Sequence, residues 1–140
     1  FDDAVEKLGV EKIKTIGDSY MIVAGLPKHR EDHARVLYQL SFELRRIASE
    51  FVDDTKRPIK LKIGLNSGPA VSGVIGKTKF AFDVWGDTIN TAARLESHGE
   101  PDKVHMSECT YQLVKDYFEL NLDPREVFMK GKGNVKTYLI

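Results

Sequence analysis

Residues 10–24 have the sequence VEKIKTIGDSYMIVA, and this stretch decides the fold class. Residues 10–16 and 20–24 are rich in β-forming side chains, and Gly17-Asp18 lies between them, so a β-hairpin with Asp18 at its tip is predicted. Downstream, apolar residues from Val36 to Phe51 recur at three- and four-residue spacing, which predicts a long amphipathic helix. Adjacent hairpin strands mixed with helices favour an α+β sheet with helices packed on it, not a doubly wound parallel sheet.

The remaining two thirds of the chain continue this mixture of elements. Alternating apolar residues predict a half-buried strand at residues 59–63, and an apolar strand at 70–75 is followed by extended chain at 80–85. Further predicted elements are a helix at 88–97 capped by Asp87, a strand at 104–106, a helix from the N-cap Ser107 to about residue 116, and a hairpin at 127–140. No linker or repeat interrupts the chain, so residues 1–140 are predicted to form one domain.

Composition excludes several functional classes. Among 140 residues, Lys plus Arg equals Asp plus Glu, so no bulk charge favours a nucleic acid polymer or an anionic membrane. Cys109 is the single cysteine, which rules out an intrachain disulfide. The longest apolar run is far shorter than the ~20 residues that span a bilayer. We therefore expect a cytoplasmic domain without a membrane segment. Because the chain starts at Phe1 and not at Met, a fragment of a longer protein is expected.

The hairpin tip is the first candidate site. Carboxylate oxygens are preferred ligands of hard cations such as Mg²⁺, and an adjacent glycine lets a phosphate approach the backbone, so Asp18 is a candidate metal ligand. Strand alternation predicts that Lys12 and Lys14 point to the same face of the strand and Ile13 to the other. An ordinary turn with a polar tip and solvated lysines is the alternative interpretation of this segment alone.

The sequence DVWGDTINTAAR at residues 83–94 is the second candidate. Asn90 and Arg94 are four residues apart on the predicted helix and share a face, where they could orient a ribose and neutralise a phosphate. The helix N-terminus nearby also favours anions. The alternative is a surface helix in which Asp87 is a plain cap and Arg94 pairs with Glu96 or Asp87.

Two further segments contain lysine and glycine. KGKG at residues 130–133 could contact polyphosphate from an exposed turn, although such turns are common. Residues 76–78, GKT, resemble the end of a P-loop, but the required earlier glycine is replaced by Val71 and the following chain is predicted to be extended. A P-loop is therefore rejected.

Together these segments resemble the class III adenylate/guanylate cyclase catalytic domain. The similarity is carried by four blocks in the family's order and spacing: residues 9–27, GVEKIKTIGDSYMIVAGLP; 61–76, LKIGLNSGPAVSGVIG; 82–97, FDVWGDTINTAARLES; and 127–140, VFMKGKGNVKTYLI. The resemblance implies a ferredoxin-like βαββαβ core, here missing its first strand and helix. It also implies a head-to-tail homodimer with active sites at the subunit interface.

The resemblance further implies a role for each candidate residue. Asp18 matches the second of two metal-binding aspartates, and the first is expected in an earlier segment, D-I-x-G-F, that this chain does not include. Two Mg²⁺ or Mn²⁺ ions per active site are implied. The substrate residues are Lys14 and Asp83 for the purine, Asn90 for the ribose, Arg94 for the pentavalent phosphorus and Lys130 for the terminal phosphates.

Lys and Asp at the purine positions go with adenine in this family. The sequence therefore predicts a homodimeric adenylate cyclase that converts ATP to 3′,5′-cyclic AMP and pyrophosphate. Two alternatives are a guanylate cyclase and a non-catalytic cyclase-like module that binds nucleotide or dimerises.

Overall fold

The computed structural model describes residues 1–79 and 81–140. Its helices are α1 (Asp2–Lys7), α2 (His33–Ser49), α3 (Asp87–Ser97) and α4 (Glu108–Val114). Its strands are β1 (Glu11–Ile16), β2 (Ser19–Val23), β3 (Lys62–Leu65), β4 (Val71–Ile75), β5 (Ala81–Trp85), β6 (Lys103–Ser107), β7 (Asp123–Met129) and β8 (Gly133–Leu139). The predicted extended segment at 80–85 corresponds to β5, except for Phe80, which lies outside the described residues.

The strands form one four-stranded sheet and two separate hairpins. The order of the large sheet is β3-β6-β8-β7, in which β3 and β6 are parallel and the other pairs are antiparallel. The pairs β1–β2 and β4–β5 are antiparallel hairpins. Mixed pairing with helices on the sheet confirms the predicted α+β class.

Successive side chains of β6 point to opposite faces of the sheet, and different helices pack on the two faces. Val104 and Met106 are fully buried and belong to the cluster with Tyr38 of α2 and Val114 of α4. His105, between them, faces the other side and reaches a carbonyl of α3. Helices α2 and α4 therefore cover one face of the sheet, and α3 covers the opposite face.

The β1–β2 hairpin has the predicted tip but not the predicted alternation. Gly17 adopts φ +60° in the turn. The register passes from Lys12 opposite Ile22 to Lys14 opposite Met21, which leaves Ile13 as an extra, bulged residue. Because Ile22 and Met21 are consecutive and face opposite sides, Lys12 and Lys14 do too. The expectation that both lysines share a face was wrong, and the bulge is the reason.

Several element boundaries also differ from the prediction. Helix α3 starts at Asp87, and Gly86 with φ 131° is the N-cap, so Asp87 is a first-turn acid and not the cap. Strand β3 begins only at Lys62, and Pro58 in the chain before it forms an isolated bridge with Val52. The predicted cap of α4 is confirmed, since Ser107 accepts a hydrogen bond from the backbone N–H of Thr110.

Candidate active site

Lys14 and Asp83, 69 positions apart in sequence, form an ion pair between β1 and β5. The Lys14 Nζ lies 3.0 Å from Asp83 Oδ2, and the two side chains are 41% and 22% exposed. The backbone N–H of Val84 donates to Asp83 Oδ1 at 2.8 Å. The hydrogen bond from Lys14, followed by that from Val84, lowers the pKa of the Asp83 carboxyl. A donor and an ionised acceptor therefore stand side by side at a solvent-accessible position.

The β7–β8 turn lies against α3, which brings the other substrate candidates together. Arg94 Nη1 donates to the carbonyl oxygen of Lys130 at 3.3 Å. Lys132 Nζ lies 2.6 Å from Asp87 Oδ2 in the first turn of α3. Arg94 and Asp87 thus contact the KGKG turn, not each other or Glu96, so the pairing expected for a plain surface helix is not the one observed.

Asn90 lies one turn before Arg94 on the same side of α3. Its side chain is exposed, and its backbone N–H donates to the carbonyl of Gly86 at 3.1 Å. Because i and i+4 residues are neighbours on a helix, an amide and a guanidinium face the same volume. An amide and a guanidinium side by side are suited to a phosphorylated ribose, and the backbone of Lys130 lies next to them through its bond with Arg94.

Asp18 takes no part in these contacts. It is exposed at the β1–β2 tip, and within residues 1–79 and 81–140 no hydrogen bond or ion pair involves its carboxylate. Across the same ranges no three His, Cys, Asp or Glu side chains converge on a possible metal. A free carboxylate at a hairpin tip fits one ligand of Mg²⁺, which is commonly bound by one or two carboxylates together with substrate phosphates.

The sequence alone does not single out Asp87 and Lys132 as partners. Both lysines of the KGKG motif are candidates for polyphosphate, but only Lys130 is assigned to substrate, and local pattern indicates Asp87 merely as a helix cap. Their pairing spans 45 positions and requires the β7–β8 turn to fold onto α3. Opposite charges in two short turns are too common to predict such a contact.

Comparisons with known proteins identify the family of the chain. The family model described as the adenylate and guanylate cyclase catalytic domain matches residues 1–140. An adenylate cyclase of Mycobacterium tuberculosis is 38% identical over 140 residues, covering 100% of this chain and 31% of that protein. A receptor-type guanylate cyclase of Caenorhabditis elegans is 43% identical over 142 residues, covering 99% of the chain and 11% of that protein.

A solved structure shows the same fold. The guanylate cyclase domain of RhGC from Catenaria anguillulae, in complex with GTP, superposes with a TM-score of 0.88 at 37% identity and covers 99% of this chain and 75% of that one. The described helices include none long and apolar enough to cross a membrane. The family match along the whole chain confirms the resemblance inferred from the four motifs: the chain belongs to the adenylate and guanylate cyclase catalytic-domain family.

Proposed function

We propose that this chain is an adenylate cyclase domain, which converts ATP to 3′,5′-cyclic AMP and pyrophosphate. The observation that carries the substrate choice is the Lys14–Asp83 pair, with its Nζ and Oδ2 atoms 3.0 Å apart. Overall sequence identity does not distinguish ATP from GTP as the substrate, because the chain is 38% identical to an adenylate cyclase and 43% identical to a guanylate cyclase. The base must therefore be distinguished by the groups that face it.

The edge of adenine complements this pair. Adenine presents an acceptor at N1 beside an amino donor at N6, so a lysine donor next to an aspartate acceptor matches it. Lys14 retains two N–H donors after bonding Asp83, and the carboxylate retains free lone pairs. Guanine presents a carbonyl acceptor and a ring N–H in the reversed order. A polar mismatch in a binding pocket discriminates strongly between substrates.

The groups on α3 and the β7–β8 turn would act on the ribose and phosphates. Asn90 orients the ribose so that its 3′-oxygen is in line with the leaving group. That oxygen forms a bond to the α-phosphorus, the α–β bridging P–O bond breaks, pyrophosphate leaves with the electron pair, and the 3′-hydroxyl proton passes to solvent. Arg94 stabilises the charge that develops on the pentavalent phosphorus, and Lys130 holds the terminal phosphates.

Asp18 would bind metal. Two Mg²⁺ or Mn²⁺ ions, held in part by this carboxylate, supply activation of the 3′-hydroxyl and neutralisation of triphosphate charge when bound. In the homodimer that we propose, Asp18 serves a site whose remaining groups, Lys14, Asp83, Asn90, Arg94 and Lys130, belong to the other chain.

An exposed apolar surface next to the site supports a second copy of this chain as the partner. Its members lie on β1, β4 and β5 and are Ile16, Val71, Ile75 and Trp85, between 43% and 61% exposed. Contiguous exposed apolar side chains are typical of interfaces. Since β1 and β5 also carry Lys14 and Asp83, this surface is continuous with the purine-binding pair, as a site completed by dimerisation requires.

The substrate is tested by measuring cyclic AMP and cyclic GMP formation with Mn²⁺ or Mg²⁺ by purified protein that includes the upstream D-I-x-G-F segment implied by the family resemblance. We expect kcat/KM for ATP to exceed that for GTP by at least about tenfold, roughly 1.4 kcal/mol. Lys14→Glu with Asp83→Cys should shift the preference toward GTP. Lys12→Glu, on the opposite face of the hairpin, is the matched control and should leave the ratio unchanged. Equal turnover of both nucleotides would rule out the Lys14–Asp83 assignment, and no product from either would favour a non-catalytic module.

A further inference from the structure

Helix α3, which carries Asn90 and Arg94, packs on the sheet through the fully buried Leu95, in a cluster with Val127 and Met129 of β7. Its backbone comes closest to the sheet at one rung of β3 and β6. Gly64 of β3 and His105 of β6 are partners in the parallel ladder, and both face α3. A Cβ on Gly64 would lie 2.4 Å from the carbonyl oxygen of Ala92 and 2.5 Å from the backbone nitrogen of Glu96. The helix backbone therefore lies directly on the strand backbone at this point.

His105, beside Gly64, connects the same helix to the rest of the sheet. Its side chain is 1% exposed, with Nδ1 2.8 Å from the carbonyl oxygen of Leu95 and Nε2 2.7 Å from Thr137 Oγ1. A carbonyl oxygen only accepts, so Nδ1 carries the proton. Burial lowers the pKa of His105 and so favours the neutral ring, in which Nε2 can only accept. The Thr137 hydroxyl, 2.7 Å from Nε2 and 3.2 Å from the Arg125 carbonyl oxygen, supplies the proton to the nearer acceptor.

The Leu95 carbonyl needs this donor. It is among the last four carbonyls of α3, which have no regular intrahelical partner. The residue four positions on, Gly99, donates its N–H to Glu96 at 3.1 Å. The imidazole of His105 therefore caps a carbonyl of the last turn from outside the helix. Because Leu95 follows Arg94 directly, the capped peptide fixes the backbone from which the guanidinium extends.

We propose that His105 is a positioning residue for the cyclase reaction: its bond to Leu95 sets the height and rotation of the last turn of α3, and thereby the placement of Arg94. Gly64 allows the helix backbone to lie close to the strand, and the His105–Leu95 hydrogen bond fixes the position of the last turn of α3 along the sheet. This inference rests on the proposed cyclase activity but not on the choice of ATP over GTP. A displacement of about 1 Å in a group that contacts the reacting phosphorus is enough to cost up to about a hundredfold in rate.

Two substitutions distinguish the hydrogen bonds made by the two ring nitrogens of His105. In His105→Asn the amide nitrogen can occupy the place of Nδ1 and keep the bond to Leu95, whereas in His105→Gln the amide reaches the place of Nε2 and keeps only the bond to Thr137. Each variant loses one buried hydrogen bond, so both should lose similar thermal stability. We expect kcat of the Gln variant to fall about tenfold or more with KM within about threefold, and kcat of the Asn variant to stay within about threefold.

A second readout asks whether the effect passes through Arg94. In an Arg94→Lys background, His105→Gln should reduce kcat by less than about threefold, because the group that it misplaces is already altered. Thr137→Val removes the Nε2 contact and the longer bond to the Arg125 carbonyl but keeps the bond to Leu95, so it should leave kcat within about threefold and serves if the Gln variant does not fold. Equal kcat losses in the Asn and Gln variants, a tenfold loss in Thr137→Val, or additive losses with Arg94→Lys would overturn the proposal.

The assays use whichever nucleotide the wild-type protein turns over faster. If that is GTP, the adenylate assignment fails while the His105 comparison proceeds unchanged. If ATP is preferred and the Asn and Gln variants behave alike, only the positioning role fails. A wild-type protein inactive with both nucleotides would refute both.

Discussion

Helix α3 and the β1–β2 hairpin both carry proposed active-site groups, but they are held in very different ways. Helix α3 is tied by the Asp87–Lys132 pair at its first turn and by the bonds from Arg94 to Lys130 and from His105 to Leu95 near its end. The hairpin is tied at Lys14 by the contact with Asp83, while its tip, Asp18, is exposed. The groups proposed to meet the phosphorus are thus fixed within one chain, whereas the proposed metal ligand extends outward, as expected if it completes a site on another chain.

The largest expected effect comes from removing one group from each region. Arg94→Ala and Asp18→Ala homodimers should each lose about a hundredfold or more in kcat, since one loses transition-state charge stabilisation and the other a metal ligand. Mixing the two variants should restore activity to a ceiling of about a quarter of wild type. Random pairing makes half of the dimers heterodimers, and each heterodimer has one intact site and one doubly altered site.

Subunit exchange has to be shown in the same mixtures by pull-down of a tagged variant. Self-mixing of each variant is the control and should restore nothing. An exchanged mixture that stays inactive would contradict a site shared between chains, and would place Asp18 and Arg94 in the same chain's site.

The sequence predicts the helices and strands of both regions better than the register and the contacts between them. The tip of the hairpin, the helix at 88–97 and the final hairpin around residues 131–133 follow from local turn chemistry and apolar periodicity, which are properties of short segments. The bulge at Ile13 does not, because a one-residue register shift leaves no compositional signal. The family motifs assign Lys14 and Asp83 to one role, and the two side chains lie 3.0 Å apart in the fold.

The support of α3 could not be predicted. From the sequence, Gly64 is only one position of an alternating strand and His105 only part of a short strand. Their shared role in supporting α3 depends on a parallel pairing between positions 41 residues apart and on a helix packed across both. Lone histidines and glycines in strands have many possible environments. Contacts made through backbone carbonyls, such as that of Leu95, carry no signature in the side chain of the residue that supplies the carbonyl.

Gly64→Ala tests how firmly α3 is seated. The new Cβ would meet backbone atoms at 2.4 and 2.5 Å, so either the helix or the strand must shift, at a cost of about 1–3 kcal/mol or more in unfolding free energy. Gly73→Ala is the matched control, since its Cβ would lie 3.2 Å from the far end of the Trp85 ring, a side chain 43% exposed that can move. Urea unfolding measures both variants, and equal losses would mean that α3 does not rest on Gly64.

A smaller effect is expected from pH. Burial lowers the pKa of His105 below its usual 6.5, so at acidic pH the unfolded chain is protonated at this residue while the folded chain is not. The free energy of unfolding therefore falls as the pH drops below about 6.5. The hydrogen bond to the Leu95 carbonyl and the charge of Glu100 raise the pKa of His105, whereas His98 and Arg125 lower it further. The wild-type protein should lose more unfolding free energy between pH 7.5 and 5.5 than His105→Asn, by at most about 1.4 kcal/mol per pH unit. Other histidines cancel in this difference, and identical pH profiles would contradict a neutral, buried His105.

The smallest effect concerns the Asp87–Lys132 pair, whose side chains are 69% and 35% exposed. Exposed ion pairs contribute little because water and salt screen them and both side chains lose entropy, so the coupling in a double-mutant cycle of Asp87→Ala and Lys132→Ala should be about 0.2–1 kcal/mol and should shrink in high salt. Asp87→Ala alone should cost more than Lys132→Ala, because its carboxylate also lies in the first turn of α3, where the helix dipole favours negative charge. A coupling above about 2 kcal/mol, insensitive to salt, would mean that the β7–β8 turn holds α3 as strongly as the sheet does, and that the Gly64–His105 rung is not its principal support.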